Sequence, residues 1–244
     1  MSDQWMPTLK MKLSRADFER LPRHPSYKYE RINGVTWISP WPRYGRALLQ
    51  LSRFRVESSD VGKTKLRRAT AADAQQLAPT FEAAFGHLQP YASLDDVGRE
   101  NAAQKALDQT FTGGDGVFVA PASFVALEDG AIIGAVLITL LPGGEPTDWD
   151  SIHWHEPPPA DLWDKGQGQP HLTWIFVSRF EQGVGVGTQL LQRAVRVLKK
   201  QGYKTLWTTF LIGNDSSLLW HWRNGFELLP NLLSKRRMRR ELGK

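Results

Sequence analysis

Apolar residues recur along this chain with two different periods, and the alternation between them predicts most of its elements. Within residues 188–201, Leu190, Leu191, Ala194, Val195 and Leu198 fall on one helical face with charges opposite, and Gly202 follows; this is an amphipathic helix stopped by glycine. Residues 71–84 carry Leu77, Phe81 and Ala84 at the same spacing before Gly86, and a further helix is expected within 95–111. Runs 123–128, 131–141, 171–177 and 203–212 are short and rich in apolar, β-branched or aromatic residues, so they read as strands, and 65–70 reads as a further short strand. Asp129-Gly130 joins 123–128 to 131–141 as a hairpin. A short helix at 216–223 and a last strand at 234–242 complete the pattern.

The first 58 residues read differently. Ser14 caps a short helix over 14–21 that Pro22 stops, and Asn33-Gly34 turns between strands 27–32 and 35–39. A further strand is expected within 47–56. The polar stretch 58–64 is the expected linker, which divides the chain into a helix-hairpin appendage, 1–58, and a main domain, 65–244. From 142 to 170 the chain turns polar and rich in Pro and Gly, too long for an ordinary connection.

Charge sharpens that division. The net charge of +6 hides a net of +9 over residues 1–68, −8 over 69–234 and +5 over 235–244. Basic ends attract polyanions such as nucleic acid, or keep a surface and its strand edges soluble; both readings stand. The insert 142–170 holds Glu145, Asp148, Asp150, Glu156, Asp161 and Asp164 against Lys165, a field suited to a cationic substrate or to a solvated loop. Trp149, Trp154, Trp163 and Trp174 lie in or beside it; they would line an acceptor pocket or fold the insert onto the body. With no cysteine in 244 residues, a disulfide scaffold, cysteine-ligated zinc and a thiol nucleophile are excluded. His153 and His155 lack an apparent third ligand, so no metal is expected. The longest apolar run is too short to span a bilayer and the N-terminus lacks a signal-peptide core, so a cytoplasmic protein without a membrane partner is expected.

The chemistry concentrates between strand 171–177 and helix 188–201. Gln182, Gly183, Val184, Gly185, Val186, Gly187 and Thr188 form a glycine-rich loop feeding a helix N-terminus. Glycines let backbone amides converge, and the helix adds unpaired N–H donors with a partial positive end. Such a site holds a phosphate or diphosphate. No Lys-Ser/Thr pair closes the loop as a nucleoside-triphosphate loop requires, and the glycine spacing departs from the dinucleotide fingerprint.

Three motifs in order resemble the GNAT superfamily of acyl-CoA-dependent N-acetyltransferases over residues 65–242. Gln182, Gly185 and Gly187 follow Val177 as Gln/Arg-x-x-Gly-x-Gly/Ala follows the strand-ending valine of that family. Asn214, Ser217, Trp220, His221, Arg223, Gly225 and Phe226 occupy the family's Asn-x-x-Ala/Ser-x-x-Leu-Tyr-x-Lys-x-Gly-Phe pattern, and Leu66-Arg67-Arg68-Ala69-Thr70-Ala71-Ala72-Asp73-Ala74 its opening strand and helix. Trp220 replaces the usual leucine and His221 the usual tyrosine.

The resemblance implies an α/β (α+β) fold, with a mixed, mostly antiparallel sheet flanked by helices. It implies acetyl-CoA as cosubstrate and direct attack by an amine in a ternary complex. The amides of Gln182 to Thr188 would hold the diphosphate, and Asn214 would reach the pantetheine arm with Ser217 and Arg223 nearby. The backbone N–H of Val177 would stabilise the oxyanion. His221 would either protonate the departing thiolate or only pack. The acceptor amine and its base stay unnamed, and a monomer or homodimer is expected. The alternative is a catalytically weak module that binds acyl-CoA or, through the basic ends, nucleic acid.

Overall fold

The computed structural model describes residues 9–20, 27–40, 44–54, 64–88, 91–141, 159–178, 185–211 and 215–229. Two compact units divide it, Met1–Tyr44 and Gly45–Lys244. The first unit carries β1 (Leu9–Lys12), α1 (Arg15–Arg20), β2 (Tyr27–Ile32) and β3 (Val35–Pro40), with the strands in the antiparallel order β1-β3-β2. Ser14 Oγ accepts the Asp17 N–H at 3.1 Å, the expected cap. Asn33 and Gly34 turn the β2–β3 hairpin with φ of 50° and 81°.

The second unit contains β4 (Tyr44–Gln50), β5 (Lys65–Arg68), α2 (Ala74–Phe85), α3 (Asp96–Phe111), β6 (Val117–Phe118), β7 (Phe124–Glu128) and β8 (Ala131–Leu141). It continues with β9 (Gln169–Val177), α4 (Val186–Gln201), β10 (Thr205–Leu211), α5 (Asp215–Arg223) and β11 (Glu227–Leu229). Its eight-stranded sheet runs β11-β4-β10-β9-β8-β7-β5, with β6 beside β8. The recorded pairings are antiparallel except for β10 on β9, which is parallel. This is the mixed, mostly antiparallel α/β architecture expected from the sequence.

The unbroken apolar run of β8 has a physical cause: the strand is covered on both faces. Val136, Ile138 and Leu140 enter a cluster with Leu172, Leu206 and the α4 residues Leu190, Leu191, Ala194, Val195 and Leu198. Ala135 and Leu137 enter the opposite cluster with Leu77, Phe81 and Ala84 of α2, Leu107 of α3, and Phe176. At the centre of this second cluster, Phe81 meets Phe85, Tyr91, Trp174 and Phe176 edge-on at centroid distances of 4.7 to 5.6 Å. Both helix faces read from the sequence are therefore core faces.

The appendage is shorter than its expected span of 1–58. The strand expected within 47–56 forms instead at Tyr44–Gln50, and it belongs to the large sheet between β10 and β11. Ala47, Leu49 and Leu51 are buried in the α4-side cluster with Leu206 and Phe226. The polar stretch 58–64 marked a boundary by composition, whereas the boundary follows where these three side chains are buried. β11 takes its place by pairing with β4, Leu228 opposite Ala47; the strand expected at 234–242 lies outside the described residues.

The opening strand and helix are held by one carboxylate. Arg67 Nη2 and Nη1 donate to Asp73 Oδ1 and Oδ2 at 2.7 and 2.8 Å, and the Thr70 N–H donates to Oδ2 at 2.8 Å. The Arg67 hydrogen bonds hold the Asp73 carboxyl below the usual range. Asp73→Ala is expected to destabilise the protein by about 1–3 kcal/mol, since it strands a guanidinium and an amide at the start of the helix. Urea unfolding checks this; a loss under about 0.5 kcal/mol would mean that the pair is as weak as an exposed ion pair.

Candidate functional site

The site grows from a break in strand pairing. β10 and β9 pair at Trp207↔His171 and Thr208↔Leu172, and among the described residues no pair follows towards their C-terminal ends. β9 departs from regularity at the same place, where its register on β8 shifts between Leu137 and Ile138 and leaves Thr173 as the extra residue. Past that bulge the antiparallel alternation sets which amides face β8. Gly134 lies opposite Val177, and the Ser178 N–H bonds to the Ile133 carbonyl at 2.8 Å. Val177 is therefore in a non-bonded pair, and its N–H is turned away from β8, towards the side on which β10 lies.

Gly134 allows this approach. A Cβ there would lie 2.7 Å from the Phe176 carbonyl oxygen and 3.2 Å from Val177 Cα, closer than the backbone tolerates.

Helix α4 begins beside the same residue. Gly185 stands at its N-cap with φ 91°, a left-handed conformation that glycine adopts without strain. The first helical bond runs from the Gln189 N–H to the Gly185 carbonyl, which leaves the amides of Val186, Gly187 and Thr188 without helical acceptors. Val186 is buried and fixes the turn in the core, whereas Gly185 is exposed. A Cβ on Gly187 would sit 3.5 Å from Trp220 Nε1 and 3.7 Å from Val177 Cγ2. The end of β9, the start of α4 and the middle of α5 thus meet at one point. Thr188 Oγ1 donates to Asn224 Oδ1 at 3.2 Å and Asn224 Nδ2 to the Trp220 carbonyl at 2.9 Å, tying the α4 start to the end of α5. Arg223 is exposed on that helix and Ser217 is half-buried.

Of the residues expected to bind the cofactor, Val177, Gly185, Val186, Gly187 and Thr188 converge here. Ser217 and Arg223 lie on the neighbouring α5. Gln182, Gly183, Val184 and Asn214 lie outside the described residues, as do positions 142–158 of the acidic insert. Two of the four tryptophans near the insert, Trp149 and Trp154, share that position. Trp163 packs on Tyr203 at 5.8 Å, and Trp174 joins the Phe81 cluster with its N–H given to Thr110 Oγ1 at 2.9 Å. For these two, the folding role applies.

His221 does not have the surroundings of a proton donor. A carbonyl oxygen only accepts, so the 2.7 Å contact to the Ser217 carbonyl puts the hydrogen on Nδ1 and commits it there. The ring stands edge-on to Phe226 and Trp220 at 5.0 and 5.1 Å. Burial pushes its pKa down to about 4, so it is neutral at physiological pH. Thr208 Oγ1, 3.4 Å from Nε2, donates to the Leu172 carbonyl at 3.1 Å. His221 is a buried joint between α5 and β10.

One group was missed from sequence. His171 is buried where β9 pairs with β10, opposite Trp207 and one step before the last pair, among Thr139 of β8, Thr173 of β9 and Thr209 of β10. Its signal was a histidine opening an apolar strand, followed two residues later by threonine. Among the described residues no three acidic or histidine side chains cluster in reach of a metal ion, and no helix is long and apolar enough to cross a membrane.

The family model described as acetyltransferase (GNAT) family matches residues 99–226. Among solved structures, a GCN5-related N-acetyltransferase from Sphaerobacter thermophilus is 14% identical with a TM-score of 0.50, over 93% of this chain and 58% of that one. PH1933 from Pyrococcus horikoshii OT3 is 17% identical with a TM-score of 0.49, over 68% of this chain and 90% of that one. The PaiA N-acetyltransferase from Thermoplasma acidophilum, in complex with coenzyme A, is 13% identical with a TM-score of 0.47, over 67% and 89%. No curated protein sequence matches the chain.

Proposed function

Because this chain belongs to the GNAT family of acetyltransferases, we propose that it transfers an acetyl group from acetyl-CoA to an amine by direct attack in a ternary complex. The observation that carries this reading is the meeting of three helix-start amides, at Val186, Gly187 and Thr188, with the end of β9 where β10 has ceased to pair. Amides at a helix N-terminus suit a diphosphate. An unpaired strand flank suits an extended, amide-bearing arm that adds to the sheet as another strand would. The Val177 N–H, turned from β8, is the donor for the oxyanion that forms as the amine attacks. Holding the amine and thioester in contact supplies much of the acceleration, and no covalent enzyme intermediate is needed. The departing thiolate takes its proton from the reacting nitrogen through solvent, since the His221 Nδ1 hydrogen is committed to the Ser217 carbonyl.

Acetyl-CoA at about 100 times its Kd is expected to stabilise the protein by about 2.7 kcal/mol and to raise the melting temperature by several degrees. An unchanged melting temperature at millimolar acetyl-CoA would remove this reading. The buried, neutral state of His221 also favours a second reading, a domain that binds acyl-CoA with weak turnover. The two part on whether free CoA appears when amines of several classes are supplied.

A further inference from the structure

We propose that the outer face of α4, extended by Arg68 at the edge of the large sheet, docks the phosphate backbone of a nucleic acid without regard to its sequence. This does not depend on the acyltransferase reading. Charge is segregated along the second unit. Residues 69–234 carry a net of −8, whereas 182–214 hold Arg193, Arg196, Lys199, Lys200 and Lys204 and neither Asp nor Glu. Helix α4 folds that stretch so that Leu190, Leu191, Ala194, Val195 and Leu198 enter the core while Arg193, Arg196 and Lys200 stay exposed. These three cations follow one another at helical spacing, in a row about 10 Å long. Like charges so placed repel, and no acidic residue of the helix relieves them.

The edge strand lengthens the row. Arg68 of β5 stands opposite Phe124 of β7, and residues paired across antiparallel strands share a face. Phe124 is buried in the α4-side cluster, so Arg68 rises on the same side of the sheet as α4. Arg193 reaches that ring from the helix, with its guanidinium carbon 5.6 Å from the ring centroid, a contact that orients the guanidinium. The neighbouring turn Ala120–Ala122 carries no charge. Among the described residues, Arg68, Arg193, Arg196 and Lys200 make no ion pair. The acid of β7, Glu128, stands about 13 Å along the strand from Phe124, and Asp73 is taken by Arg67.

Charge without apolar surface identifies the occupant. The exposed large apolar side chains of the described residues are Ile32, Val97, Leu219 and Trp222, and none belongs to β5, β7, α4 or the turn Ala120–Ala122. A protein partner packs on an apolar centre and a membrane takes up apolar side chains; this face offers neither. Arg68, Arg193 and Arg196 carry the planar fork that matches a phosphate. The helix dipole explains Lys200, in the last turn of α4, but not the arginines. Nor does the proposed diphosphate site use the row, because Arg196 and Lys200 lie about 15 and 21 Å along the helix axis from Val186.

The test follows the fluorescence anisotropy of labelled 20-nucleotide RNAs of two unrelated sequences, of the matching DNA duplexes and of a polyglutamate peptide, each with the full chain in 50 to 200 mM salt. At least one nucleic acid is expected to bind, equally for both sequences, with a log–log salt slope of about −3 or steeper, as four neutralised phosphates require. Polyglutamate should bind at least about tenfold more weakly. Combining Arg68→Gln, Arg193→Gln, Arg196→Gln and Lys200→Gln should weaken binding by about 100-fold or more at 50 mM salt and remove about three from the slope. The helix signal in circular dichroism should stay unchanged. Arg193→Lys with Arg196→Lys, which keeps the charge, should retain most of the affinity. A second variant changes the basic C-terminus, with Lys235→Gln, Arg236→Gln, Arg237→Gln, Arg239→Gln and Arg240→Gln, and should lose less than about tenfold. No binding at 50 mM salt overturns the proposal, as does polyglutamate binding as tightly as nucleic acid. So does a folded α4 variant that binds like the unaltered protein, or a loss found with the C-terminal variant instead.

Discussion

Gly185→Glu is expected to weaken CoA binding by about 100-fold or more while leaving the protein folded. Gly185 holds φ 91° at the mouth of α4, where any side chain is strained by about 1–2 kcal/mol. The new carboxylate would stand beside the three helix-start amides proposed to grip the diphosphate. Like charges about 4 Å apart repel by about 4 kcal/mol at an effective dielectric of 20, and about 1.4 kcal/mol is tenfold in Kd. Gly185→Ala adds the strain without the charge and should lose no more than about tenfold. Isothermal titration with CoA on both variants separates the two contributions. Equal losses would mean that backbone strain alone matters and that no anion sits there.

Acid is expected to unfold the protein through its two buried histidines. His171 and His221 are both pushed down to about 4 by burial, against about 6.5 in an unfolded chain. The unfolded state therefore binds protons first as pH falls. The stability held by keeping these rings neutral is fully present above about 6.5 and is lost as pH drops to about 4. Each ring contributes about 3 kcal/mol over that window, which together rivals the 5–15 kcal/mol stability typical of a domain. Asp115, pushed up by burial, works in the opposite direction near the bottom of the window. Asp73, held down by Arg67, adds to the loss only below about 4. Urea unfolding at steps from pH 7.5 to 4 should give a slope approaching two protons. His221→Phe, between Trp220 and Phe226, should reduce it to about one. A flat response to pH 5 would show that these rings are solvated.

The parts of the fold readable from sequence were those in which a local period reports a buried face. The heptad-like spacing in α4 and α2 identified the stripes that pack on the two sides of the sheet, and Asn33-Gly34 and Asp129-Gly130 marked their hairpins. Gly185 was readable too, because the left-handed turn at a helix N-terminus leaves a residue signature. What escaped reading was non-local. Nothing in residues 44–50 says that Ala47 and Leu49 fill the core beside Phe226, so the strand was assigned to the appendage. The surroundings of His171 depend on a bulge at Thr173 and on hydroxyls from three strands, which spacing does not report. His221 illustrates the converse: its motif position suggested acid chemistry, and only the contact with the Ser217 carbonyl revealed where its hydrogen goes.

The most direct measurement is a crystal structure of the full chain grown with CoA. The diphosphate should lie within hydrogen-bond distance of the amides at the start of α4, with the pantetheine arm running along the β9 edge and its thioester at the Val177 N–H. A ligand bound to another surface, or an arm running away from the β9–β10 opening, would contradict the account.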